Sequence, residues 1–119
     1  MRKILAVALF MLVVSSFAQE RTFVSDFMFR MDRDSVGNLV EESIRVGFER
    51  TVITFDNNFT FFEFGSRKLV YRFVSNVDSD EGIAFNARNM DGVPAIITIC
   101  KNHGFIRVLY RDLIIQYKL

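Results

Sequence analysis

The chain has 119 residues, 50% of them hydrophobic, with 15 basic and 14 acidic side chains and a formal net charge of +1. So short a chain is one small domain, and so balanced a charge lacks the basic footprint that nucleic acid or an anionic membrane surface requires. The single cysteine, Cys100, cannot form an internal disulfide, so stability has to come from an apolar core.

The first stretch reads as an export signal. Arg2 and Lys3 open it, Ile4 to Val14 is an unbroken apolar run, and Ser16-Phe17-Ala18 places small residues at a cleavage site. The run is too short for a membrane-spanning helix, which needs roughly 20 residues. No cysteine follows it to carry a lipid anchor. Residues 1–18 are therefore read as a signal peptide, cleaved between Ala18 and Gln19. The short Ala-Gln junction points to a bacterial source and a periplasmic or extracellular product. Residues 19–119 then form a single domain, and loss of Arg2 and Lys3 takes the formal charge from +1 to −1. All but two of the 14 phenylalanines, Phe10 and Phe17, remain in it.

Thr22 to Met31 alternates. Phe23, Ser25, Phe27, Phe29 and Met31 share one face of a predicted strand, opposite Asp26 and Arg30. Arg33 to Asn38 is a loop. Leu39 to Glu42 fits a strand or, with Asn38 and Glu41 as a capping pair, the first turn of a helix. From Ser43 the Val, Ile and Gly content favours a strand with Ile44, Val46 and Phe48 on one face. The apolar series then changes from even to odd positions at Ile53 and Phe55, which predicts a bulge or corner near Arg50.

Arg50 to Phe64, RTVITFDNNFTFFEF, is the clearest hairpin. A two-residue turn at Asn57-Asn58 sets Ile53 opposite Phe62 and Phe55 opposite Thr60. Asn tolerates the positive φ that such turns demand, and the demanding position is expected at Asn58. Gly65-Ser66-Arg67 turns the chain again. Leu69, Tyr71 and Phe73 alternate with Val70, Arg72 and Val74. Asn76 to Gly82 is a polar loop, and Ile83, Phe85 and Ala87 then alternate with Ala84, Asn86 and Arg88. Asp91-Gly92 is a turn, Pro94 starts a strand through Lys101, and Asn102-His103-Gly104 turns into a last run, Ile106 to Leu119, broken near Asp112.

Short alternating runs between regular turns predict an all-β, single-domain antiparallel meander of about seven or eight strands, either a strongly curled sheet or a small barrel. The block Asp91 to Leu119, DGVPAIITICKNHGFIRVLYRDLIIQYKL, resembles the C-terminal part of small β-meander domains of exported bacterial proteins. The resemblance implies a fold and no activity. Size and layout are also similar to lipocalin-like proteins. The chain has no tryptophan, however, so their Gly-x-Trp motif is absent, and the connection after the first strand is too short for the paired helices of intracellular fatty-acid carriers.

Candidate chemistry is sparse. Asp32 to Asn38 begins like a calcium loop but has Val36 at its fifth position and Ser43 at its twelfth; Asp78 to Gly82 has Asn89 at its twelfth. Both read as ordinary turns. His103 stands in a turn and Cys100 in an apolar strand, so a Cys-His pair is not expected. No spacing selects two carboxylates for acid-base work, and no HExxH, GxSxG or phosphate loop occurs. Asn58-Phe59-Thr60 is a formal glycosylation sequon at a tight hairpin. Arg30, Arg45, Arg72, Arg88, Arg107 and Arg111 read as a solvated polar face. The expectation is an exported, non-enzymatic binding or protein-interaction module that needs no cofactor or metal. The alternative is a lipocalin-like carrier of a small apolar ligand, lined by Phe27, Phe29, Phe61, Tyr71 and Phe85.

Overall fold

The computed structural model describes residues 22–119. The expected signal peptide and the start at Gln19 lie outside them. The described residues form ten strands: β1 (Thr22–Ser25), β2 (Phe27–Arg33), β3 (Leu39–Gly47), β4 (Thr51–Asp56), β5 (Phe59–Phe64), β6 (Arg67–Val77), β7 (Ile83–Asn89), β8 (Pro94–Cys100), β9 (Phe105–Leu109) and β10 (Leu113–Lys118). Ten exceed the expected seven or eight because the first and last runs each break once. Leu39 to Glu42, open between strand and helix in sequence, is strand.

All ten belong to one antiparallel sheet in the order β1-β4-β5-β6-β7-β8-β9-β10-β2-β3. From β4 to β10 every neighbour is the next strand in the chain, so this is a meander. β1 lies at one end of the order and β2 next to the other end, yet only Asp26 separates them in the chain. The sheet therefore has to curl strongly, so that the chain can pass at Asp26 from one end of the order to the other. Ser25 and Asp26 hold that corner. The buried Ser25 hydroxyl donates to the Phe27 carbonyl (2.8 Å), and Arg50, in the matching corner between β3 and β4, donates to the Asp26 carboxylate (2.9 Å). The predicted corner near Arg50 is thus real. Its ion pair is highly exposed and contributes little by itself.

The corner at Asp26 also corrects the predicted faces of the first strand. One residue without a ladder partner shifts the period of two. Phe23 packs on the core before the corner and Met28 after it. Phe27, Phe29 and Met31 are consequently on the face opposite Met28.

The concave side is filled. Ile53, Phe62, Tyr71, Ile97, Ile106, Val108 and Tyr117 are each at most 3% exposed. Phe62 stands edge-on to Tyr71 (5.4 Å between centroids) and tilted over Tyr117 (4.9 Å), so three rings from three strands form the centre. Truncating such a ring costs about 3–5 kcal/mol. The Tyr71 hydroxyl is shared with that of Tyr110 at 2.5 Å. Burial, then that hydrogen bond, pushes the Tyr71 pKa far above the ordinary phenol value.

The hairpin register is as the sequence predicts, with Ile53 opposite Phe62 and Phe55 opposite Thr60. The strained turn residue differs. Among non-glycine residues described, positive φ falls on Asn57 (φ 51) and not on Asn58.

Candidate functional site

The curled sheet leaves a mouth at the end carrying the Asn57-Asn58 turn, the loop before β7 and the start of β1. Phe55, Phe73, Phe85 and Ile83 wall a hollow of about 200 Å³ there, and Asn57, Asn58, Phe59, Thr60 and Asn76 complete it. The walls are a ring cluster: Phe85 contacts Phe55 edge-on at 6.2 Å and Phe73 at 5.6 Å. The hollow follows from the strand period, since Phe55 continues the inward series of Ile53, Phe73 that of Tyr71, and Phe85 that of Ala87.

Asn76 is brought in by a local irregularity. The β6–β7 register shifts between Phe73 and Ser75, so that Ser75 pairs with Asn86 and Asn76 with Phe85. Directly opposed residues share a face of an antiparallel pair. Without the shift Asn76 would point outward with Val74; with it, its amide joins Phe85 at the mouth. The hydrogen bond from Asn86 to the Ser75 hydroxyl (3.0 Å) fixes the outward members of the same register. Asn58 is tied from the other side, its carbonyl accepting from the Phe73 N–H at 2.6 Å.

Beside this hollow, beyond Ile83, lies a second one of about 160 Å³ lined by Phe23, Glu81, Gly82, Ile99, Lys101 and Asn102. Its floor is the loop Asp78 to Gly82, which is fastened to β8 and β9. The buried Cys100 thiol donates to the Glu81 carbonyl, and Arg107 donates to both Glu81 carboxylate oxygens at 3.2 and 2.9 Å. The guanidinium of Arg107 also lies over the Phe105 ring. Arg107 holds the Glu81 carboxyl below the ordinary carboxylate range, while burial pushes the Cys100 thiol up.

The five expected lining residues do not come together. Phe85 lines the mouth. Tyr71 is in the packed centre. Phe61 adjoins the inward Phe62 on β5 and so faces out, under the Lys68 ammonium at 4.5 Å. Phe27 and Phe29 lie on the convex side because of the Asp26 corner. The sequence sets Phe55 on a face with Ile53 and Phe73 on a face with Tyr71, but nothing in it points to Asn76, since no glycine or proline marks the bulge at Val74.

The convex side carries an apolar band. Phe29 opposes Val46, and the Phe27 and Phe48 rings meet edge-on at 5.4 Å. Met31, Ile114, Leu109 and Ile96 are paired in one row across β2, β10, β9 and β8. Val46 is 50% and Phe48 76% exposed.

Of the two acidic loops, the first closes as a turn, the Gly37 N–H donating to the Asp34 carbonyl at 3.0 Å, and the second is an open bend. The Asp34 carboxylate accepts from the Val36 and Asn38 N–H groups (3.0 and 2.9 Å). Among the described residues no cluster could hold a metal ion, and no helix is long and apolar enough to cross a membrane. The arginines do not all find acids across strands: Arg30 opposes Arg45, and Arg72 opposes Arg88. In comparisons with protein-family models, with characterised proteins and with solved structures, nothing matched this chain.

Proposed function

We propose that this chain is an exported, non-enzymatic module that binds a partner protein through the convex side of its sheet. One observation carries the reading: the apolar band of Phe27, Phe29, Val46 and Phe48, which the fold leaves outside the core while a dozen other apolar residues are buried in it. An apolar patch that survives folding marks an interaction surface. The reading as a binder is also supported by how the reactive groups are used. Cys100, Glu81 and Asp34 are each engaged in holding a loop. The test is site-specific photo-crosslinking in the native host. A photoreactive residue at Val46 is expected to give one discrete cross-linked protein, lost in Phe48→Asp, while the same residue at Arg67 gives none. Identical cross-links from both positions, or none from Val46, would overturn it.

A second reading, a carrier of a small ligand, is favoured by the mouth. The centre of the curl is packed, so the ligand would sit in the hollow of about 200 Å³ between Phe55, Phe73 and Phe85 rather than in a lumen.

A further inference from the structure

We infer that the mouth hollow selects a small uncharged ring compound bearing a carboxamide or hydroxyl group. The inference rests on the carrier reading above and adds the class of ligand. Three features of the site define that class. Phe55, Phe73 and Phe85 present ring faces and edges at the centroid spacings of an aromatic cluster, so a further ring can pack among them in an offset or edge-on arrangement. The volume, about 200 Å³, fits one ring with a short substituent and not a fatty acyl chain.

The polar lining decides the rest. Every polar side chain lining the hollow is neutral: the amides of Asn57, Asn58 and Asn76 and the hydroxyl of Thr60. A primary amide offers one acceptor and two donors, so it satisfies a carboxamide or hydroxyl without any proton transfer. A charged ligand would lose water against the rings and find no counter-charge in the lining, which is unfavourable. The bulge at Val74 supports a built site rather than an accidental gap. It costs β6 one regular pairing, and its effect is to turn the Asn76 amide inward beside Phe85. Re-aiming a side chain at a site is a common use of such bulges.

Benzamide, benzoate and benzylammonium share one ring and differ in charge. The test titrates each into the ¹⁵N-labelled exported chain and follows the side-chain amides of Asn57, Asn58 and Asn76. Benzamide is expected to shift all three, and the two ions are expected to bind about tenfold more weakly, the penalty of one unpaired charge near a partly dry site. Asn76→Asp, at an exposed strand position, is expected to invert the preference toward benzylammonium and to weaken benzoate further. Ions that bind the mouth as well as benzamide would overturn this inference and leave the carrier reading standing. No response to Asn76→Asp would likewise overturn the inference alone, whereas no shift of the three amides with any probe would overturn both.

Discussion

At the residue scale the turn of the central hairpin shows how one dihedral decides which asparagine matters. Asp56 pairs with Phe59, so Asn57 and Asn58 alone form the loop. Only Asn57 has positive φ there. A β-branched side chain resists that region, whereas glycine enters it without steric cost. Asn57→Gly should therefore leave stability unchanged or slightly raised, and Asn57→Val should lower it by about 1–2 kcal/mol. Asn58→Val should be tolerated, provided the Asn58 carbonyl keeps its bond to Phe73. Urea unfolding of the three variants checks this. A larger loss at Asn58 than at Asn57 would reassign the strained position. The turn's location was readable in sequence because two Asn between β-rich runs have few alternatives. Which Asn carries the strain was not, since both are the same residue and the choice belongs to the turn's backbone geometry.

At the element scale the loop from Asp78 to Gly82 is the most constrained connection. Gly82 has φ +149, and a Cβ there would lie 2.2 Å from the Ile99 carbonyl oxygen, a backbone atom that cannot move aside without breaking β8. The latch of Cys100 and Arg107 on Glu81 brings the loop down to that approach. Gly92 provides the comparison, with φ +81 but nothing within 4 Å of its added Cβ. Gly82→Ala should cost about 2–4 kcal/mol, from strained φ and the clash together, and Gly92→Ala about 1 kcal/mol, from φ alone. Equal losses in denaturant unfolding would mean that the loop can lift from β8 freely. The acidic composition of this loop invites a metal reading in sequence. Its real constraint comes from residues distant in the chain, Ile99, Cys100 and Arg107, which periodicity cannot place against it.

At the scale of the whole molecule the sheet is held in its curl by the corner at Asp26. Alternation and turn spacing were enough to read an all-β meander and to set Ile53 opposite Phe62 and Phe55 opposite Thr60 in the central hairpin. The convex band and the amide at the mouth were illegible, because each depends on a shift of one residue, at Asp26 and at Val74, with no glycine or proline to announce it. The same shift at Asp26 ties the two ends of the strand order together. It lets one run of chain pair with β4 through β1 and with β10 through β2. The β2–β10 ladder thus joins the second and last strands of the described chain, with Phe29 directly opposite Gln116 and Met28 opposite Tyr117. Directly opposed residues in an antiparallel pair have the Cα spacing a disulfide needs. Phe29→Cys with Gln116→Cys should therefore oxidise readily, while Cys100, buried and engaged with Glu81, stays reduced. The bond would close a loop containing nearly all of the domain, so it should raise stability by about 2–4 kcal/mol over the reduced form of the same variant. Comparing oxidised with reduced protein cancels the loss of the Phe29 ring. If β2 and β10 were not paired neighbours, the two thiols would remain apart, and free-thiol titration would count three per chain under mild oxidation instead of one.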